Sequence, residues 1–212
     1  MTPLRAVIIG ASGHGRELLG WLRDSAPSTE LEFIGFLDDG SPSEACLDRV
    51  DAHHLGPLDE LANLPDVVHY VGIGDPAMRR TVAQRALLRG SRPGPALVHP
   101  RAHVGADITI GDGSILAPGA VLTTSIRLGQ HVHVSSNVVI GHDSVVADFV
   151  SIYPGATISG NVAIDAGVTI GTNSTVIQER SIGAGSTVGA GAVVVRDVPS
   201  GTTVAGVPAR ER

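Results

Sequence analysis

The chain has 212 residues, 42% of them hydrophobic and 17% charged, a composition ordinary for soluble globular protein and long enough for two compact units. Its net charge is −6, with fifteen arginines and no lysine, and nucleic acid is excluded as a partner because binding it needs a basic surface. The single cysteine, Cys46, excludes an intramolecular disulfide, fits a reducing compartment and is expected to be a buried structural thiol. No stretch reaches the roughly 18 apolar residues of a membrane span, and the N-terminus lacks a basic region followed by a cleavable apolar run, so a cytoplasmic location is expected.

An apolar run over 6–9 leads into Gly10-Ala11-Ser12-Gly13-His14-Gly15, after which Leu18, Leu19 and Leu22 recur at helical spacing: strand, glycine loop, helix. A second strand over 33–37 ends in Asp38-Asp39, and a third over 67–73 ends in Gly74-Asp75 before a helix from 76 to about 88. The pattern predicts an α/β, Rossmann-like βαβαβ unit with its functional loops at the carboxyl ends of the strands. In such a loop backbone N–H groups approach a phosphate at a helix N-terminus, where the dipole also favours negative charge. Ser12, Gly13, His14 and Gly74 are therefore candidate substrate-binding residues, with the His14 ring expected to face the ligand. Asp38 and Asp39 suit ribose or sugar hydroxyls, and their alternative role is that of strand-end turn residues. The glycine spacing is G-x-x-G-x-G, not G-x-G-x-x-G, and about 95 residues is short for a complete dinucleotide fold, so a nucleotide-linked sugar is favoured over NAD. The segment 89–95, RGSRPGP, reads as a linker between domains at 1–95 and 96–212.

Beyond it an aliphatic residue recurs at every sixth position without a gap: Val98, Val104, Ile110, Leu116, Leu122, Leu128, Val134, Ile140, Val146, Ile152, Ile158, Ile164, Ile170, Val176, Ile182, Val188 and Val194. Six residues are too few for a helical repeat and fit a short strand plus a corner, the unit of a parallel β-helix with one continuous core. With three hexads to a coil, Val98, Leu116, Val134, Ile152, Ile170 and Val188 form one internal column, and two more follow from the other hexads. Such ladders explain how a chain with 3% aromatics can hold a dry core. Gly and Asn are expected at the corners, where the backbone turns left-handed.

Polar residues in such a coil belong on corners and outer faces, so the histidines there, His99, His103, His131, His133 and His142, are ordinarily just solvated. Only His142 is followed at once by an acid, Asp143. A neutral imidazole can take a proton from an amine or hydroxyl nucleophile, and a carboxylate in reach raises its basicity and fixes its tautomer. Adjacent residues point to opposite faces of a regular strand, so the two can cooperate only at a corner.

The stretch from His142-Asp143 through Phe149, followed by Pro154-Gly155-Ala156 and Gly160-Asn161-Val162, resembles the hexapeptide-repeat sugar acyltransferases that include sialic acid O-acetyltransferases and the N-acetyltransferases of bacillosamine and perosamine pathways. The resemblance extends over nearly the whole chain: 11–15 and Asp38-Asp39 are similar to the family's nucleotide-sugar loop, and Val198-Pro199, Gly201 and 205–210 to its coenzyme A tail. It implies a left-handed parallel β-helix, although period alone leaves the hand open and crossovers are usually right-handed. It also implies a homotrimer, and acetyl-CoA as co-substrate with no permanently bound cofactor or metal. The activity implied is N-acetylation of a nucleotide-linked amino sugar of the UDP-4-amino-4,6-dideoxy type, with His142 as general base and Asp143 supporting it. Ser151, Gly160, Thr172, Ala190, Pro208 and Arg210 would hold coenzyme A. Many relatives carry histidine at the position of Ser151 and glutamate at that of Asp143; serine weakens a contact near the thioester, and aspartate shortens the reach by one methylene. Three other readings stay open: sialic acid or other sugar O-acetylation, a non-catalytic β-helix scaffold, and a zinc carbonic anhydrase suggested by His131-x-His133 but lacking that family's ligand spacing.

Overall fold

The computed structural model describes residues 3–212, without the side chains of 26–29. The chain divides into two compact units, one ending at Leu97 and one spanning Val98–Arg212. Among the described residues no helix is long and apolar enough to cross a membrane.

The first unit is a five-stranded, all-parallel sheet of order β3-β2-β1-β4-β5. It is built from β1 (Leu4–Ile9), α1 (Gly13–Thr29), β2 (Leu31–Leu37), α2 (Glu44–Asp48), β3 (His54–Gly56), β4 (Val67–Val71), α3 (Pro76–Leu88) and β5 (Arg92–Pro93), with a 3-10 turn at Leu58–Asn63. The expected βαβαβ core is present, and two edge strands join it. Neither was legible, because each is two or three residues long and carries no period. The 89–95 segment is thus not a free linker: Arg92 and Pro93 pair with Val68 and His69, and the Tyr70 hydroxyl donates to the Pro95 carbonyl at 2.8 Å. Proline is compatible with an edge strand, where its missing N–H costs no ladder bond. Strand order reverses between β1 and β4, which puts the glycine loop and Gly72–Gly74 together at a topological switch point, the usual ligand crevice of such sheets. Glycine is required there by proximity, since a Cβ on Gly15 would lie 1.9 Å from the Gly10 carbonyl oxygen, and one on Gly72 2.6 Å from the Gly15 Cα.

The second unit is a three-sided left-handed parallel β-helix. Its strands are mostly two residues long and pair with those eighteen residues away: Leu116 with Val134, Val134 with Ile152, Ile152 with Ile170, and Ile170 with Val188. A second column runs Leu122, Ile140, Ile158, Val176, Val194, and a third Leu128, Val146, Ile164, Ile182. These residues are almost wholly buried and form one continuous core. The first coil departs from the pattern, with Val104 37% exposed, because a terminal repeat has no preceding repeat to stack on. Where serine replaces an aliphatic residue inside the coil, its hydroxyl bridges coils: Ser114 donates to the Gly129 carbonyl and accepts from the Val132 N–H. At the C-terminal end Arg210–Glu211 folds back antiparallel on Thr203–Ala205, pairing the edge of that strand.

The corners show a second hexad period. Every sixth residue from 107 to 191 has a left-handed φ, between 53° and 75°, whether it is Gly, Asn, Asp, Ser, His, Phe or Glu. The coil closes only if the chain turns there, so the tertiary fold imposes the conformation on residues that disfavour it. Gly185, at φ 66° with nothing within 4 Å of where a Cβ would lie, isolates this cost. Gly185→Ala is expected to destabilise the protein by about 1–2 kcal/mol through backbone conformation alone. Chemical denaturation measures it, and an unchanged midpoint would mean the corner relaxes.

Candidate active site

His142 and Asp143 lie at a corner of the coil, and Asp143 is one of the left-handed residues, at φ 58°. That turn swings its side chain to the side of its neighbour, so that the His142 Nδ1 and Asp143 Oδ2 are 2.8 Å apart. The condition for cooperation, a corner instead of a strand, is met, and the shorter aspartate reaches. An ionised carboxylate only accepts, so with Asp143 ionised Nδ1 is the donor, and in the neutral ring Nε2 then carries the lone pair. Both side chains are 62% exposed. Beneath the pair the buried Ser144 hydroxyl accepts the Val162 N–H at 3.2 Å, and Asn161 donates its N–H to the His142 carbonyl at 2.7 Å. A groove of about 280 Å³ runs alongside, lined by Asp143, Val145, Asn161, Ala163, Glu179 and Arg180.

Of the residues expected to hold coenzyme A, Gly160 stacks directly on His142, eighteen positions back. Thr172 and Ala190 stack on each other at a different corner and are exposed. Ser151 pairs with His133 and Thr169 on a separate sheet and is buried, so within one chain it does not join His142. Pro208 and Arg210 lie in the folded-back tail, where Arg210 borders a groove of about 170 Å³ with Arg196, Asp197 and Pro199. A single chain therefore gathers His142, Asp143 and Gly160, and leaves the other five elsewhere.

Of the remaining repeat histidines, His103 is exposed as expected, but the other three are not. His99, His131 and His133 are buried; His131 stacks on Phe149 with ring centroids 5.0 Å apart, and the His99 Nδ1 accepts the Arg101 N–H. Among the described residues no three His, Cys, Asp or Glu side chains gather in a metal-binding group.

In the first unit Ser12 precedes α1, and Gly13 and His14 open it. Burial holds the His14 imidazole below its ordinary pKa, against the opposing pull of Glu17, so a neutral ring stands at the positive end of the helix. The fully buried Arg79 donates to the carbonyls of Ile73 and Gly74, and its charge lies close enough to oppose protonation of His14. Sequence reasoning overlooked Arg79, although Pro76, Arg79, Ala83 and Ala86 share one helical face and all are buried. Asp38 acts as a turn residue: its two carboxylate oxygens accept the N–H groups of Ala11 and Gly40, each at 2.8 Å, tying β2 to the glycine loop. Beside it lies a cavity of about 500 Å³, lined among others by Gly40, Ser41, Leu47, His53 and His54. Cys46 borders this region half-buried, not buried as expected, and accepts a hydrogen bond from Arg49.

Asp39 accepts from the Leu58 N–H and from Arg85, pinning α3 and the 3-10 turn to the end of β2. The Arg85 hydrogen bond, and after it that of Leu58, holds the Asp39 carboxyl below its usual range. A depressed carboxylate stabilises the fold above its unfolded pKa and loses that contribution as pH falls through the folded value. Both partners are about half exposed, so the contribution is small. Asp39→Asn is expected to lower the melting temperature slightly at neutral pH and to flatten its decline in acid. An unaltered acid limb would show that other carboxylates carry it.

The family model of the PglD N-terminal domain matches residues 5–86. Among solved structures, the acetyltransferase domain of PglB from Neisseria gonorrhoeae, in complex with acetyl coenzyme A, is 33% identical over 99% of this chain and 100% of that one, with a TM-score of 0.85. WeeI from Acinetobacter baumannii is 28% identical over 98% of this chain and 99% of that one, with a TM-score of 0.85. Perosamine N-acetyltransferase from Caulobacter crescentus, as a histidine-to-asparagine mutant in complex with CoA and GDP-perosamine, is 25% identical over 98% and 96%, with a TM-score of 0.86. No curated protein matches the sequence. With likeness running the full length of both chains, the protein belongs to the hexapeptide-repeat sugar acyltransferase family and is an acyltransferase.

Proposed function

We propose that the protein is an acetyl-CoA-dependent N-acetyltransferase of the cytoplasm acting on a nucleotide-linked amino sugar of the UDP-4-amino-4,6-dideoxy type. The observation that carries this reading is the exposed His142–Asp143 pair, with Nδ1 and Oδ2 2.8 Å apart. The relatives' substrates support the choice of reactants: acetyl coenzyme A with the PglB domain, and CoA with GDP-perosamine on the Caulobacter enzyme.

In the reaction Nε2 takes a proton from the sugar amine as its nitrogen attacks the thioester carbonyl. The C–N bond forms, the C–S bond breaks, and the departing CoA thiolate recovers the proton from His142. No acyl-enzyme forms. The first unit takes the nucleotide: the N-terminus of α1, with Ser12, Gly13 and His14, faces the diphosphate beside Gly74, and Asp38 and the 500 Å³ cavity next to it receive the nucleoside. Asp39, already held by Arg85 and Leu58, shapes that wall from behind.

Thr172 and Ala190 stand at a corner that does not carry Gly160, so one prism cannot line both sides of an acyl channel. A homotrimer supplies the second corner from a neighbour, with Ser151, Pro208 and Arg210 contributing around coenzyme A.

The test is thiol release from acetyl-CoA with UDP-4-amino-4,6-dideoxy sugars, GDP-perosamine and free or CMP-linked sialic acid. Turnover with a nucleotide amino sugar is expected. Turnover with sialic acid alone would reassign the chain to O-acetylation, and silence across the panel would remove the proposed acceptor class.

A further inference from the structure

Resting on the proposal that His142 is the base, we infer that Gly160 is a positioning residue whose missing side chain makes the seat for the His142 ring. A Cβ on Gly160 would lie 2.5 Å from both Cε1 and Nε2 of His142 and 2.9 Å from Cδ2, closer than real Cβ contacts come. All three of those nearest atoms belong to the imidazole.

The corner itself does not demand glycine. The φ of Gly160 lies outside the left-handed range, so alanine suits its backbone. The equivalent place in the other coils of the same corner holds Ala106, Thr124, His142, Gln178 and Arg196. From 106 to 196 residue 160 is the one glycine at that place in the hexad, and it falls one coil from the one histidine there. The ring lies over bare backbone with Nδ1 held by Asp143, and the two contacts together define its plane and the direction of Nε2. A methyl group would meet the end of a mobile side chain, so the ring gives way and the coil does not. His142 is then driven off its seat and off Asp143.

Gly160→Ala is therefore expected to retain the wild-type melting temperature while kcat falls about 10²-fold, the scale of loss from an ångström-sized misplacement. In nitrogen-15 spectra of the free protein, which need no substrate, His142 should pass from a single Nδ1–H tautomer to a mixture. His142→Ala with Gly160→Ala should turn over no more slowly than His142→Ala alone, because the glycine acts through the ring. UDP-4-amino-4,6-dideoxy sugar and GDP-perosamine are the acceptor probes. Wild-type kcat and an unchanged tautomer in Gly160→Ala, or a further loss in the double variant, would overturn the assignment. Full activity in His142→Ala would instead remove the base itself, and the role of Gly160 with it.

Discussion

His142→Ala should lower kcat by about 10²–10⁴-fold, the usual contribution of a positioned general base, while leaving the coil folded. The side chain is 62% exposed and contributes nothing to the aliphatic columns, so its removal opens no cavity. The His142 backbone keeps its bond from the Asn161 N–H. KM for acetyl-CoA should change little, because the ring acts on the proton and not on the nucleotide of coenzyme A. Asp143→Asn should cost less than loss of the ring: the amide can still hold Nδ1 but with no negative charge to favour the imidazolium that forms during attack. Steady-state kinetics with melting curves on the same preparations decide the matter. Near wild-type turnover in His142→Ala would end the general-base assignment and leave a β-helix in search of other chemistry.

The second large effect is on stability. Ile158→Ala is expected to cost about 2–5 kcal/mol, the range for truncating a fully buried aliphatic side chain whose surroundings cannot collapse. Ile158 is 1% exposed and lies between Ile140 in the coil before and Val176 in the coil after, each held by parallel pairing in fixed register. That register is what prevents the void from closing: shifting one coil to fill it would misalign every other column. Val145, on the outer face of the same prism and 52% exposed, is the comparison, and Val145→Ala should fall within about 0.5 kcal/mol of wild type. Denaturant unfolding of the pair measures both. A loss below that of Val145→Ala would contradict the continuous core.

The coil was legible because its information is periodic and local. One aliphatic residue in six states both the strand and the direction of burial, and an eighteen-residue stack follows by arithmetic. The N-terminal α/β unit was legible for a related reason, since Gly10, Gly13 and Gly15 after an apolar run mark a strand-to-helix turn. Its edge strands, β3 and β5, were not, because they owe their conformation to a neighbouring strand and not to their own residues; Arg92-Pro93 reads as a linker until β4 is beside it. The burial of His131 and His133 escaped for a similar reason. A polar residue's exposure depends on what stacks above it, and Phe149 above His131 is eighteen residues away.

Within the site, the pairing of His142 with Asp143 could be posed from sequence only as a condition, that the two lie at a corner. By itself the sequence determined the hexad register, the strand–glycine loop–helix opening and the one histidine followed by an acid, since each is written in adjacent or evenly spaced residues. Only the tertiary structure decided that Asp143 turns left-handed toward the ring, that Asp38 and Asp39 are held by Ala11, Gly40, Leu58 and Arg85, and that Gly160 lies under His142. The physical reason is that φ at a corner and the space above a glycine are set by closure and stacking of the coils, which no short window of residues contains.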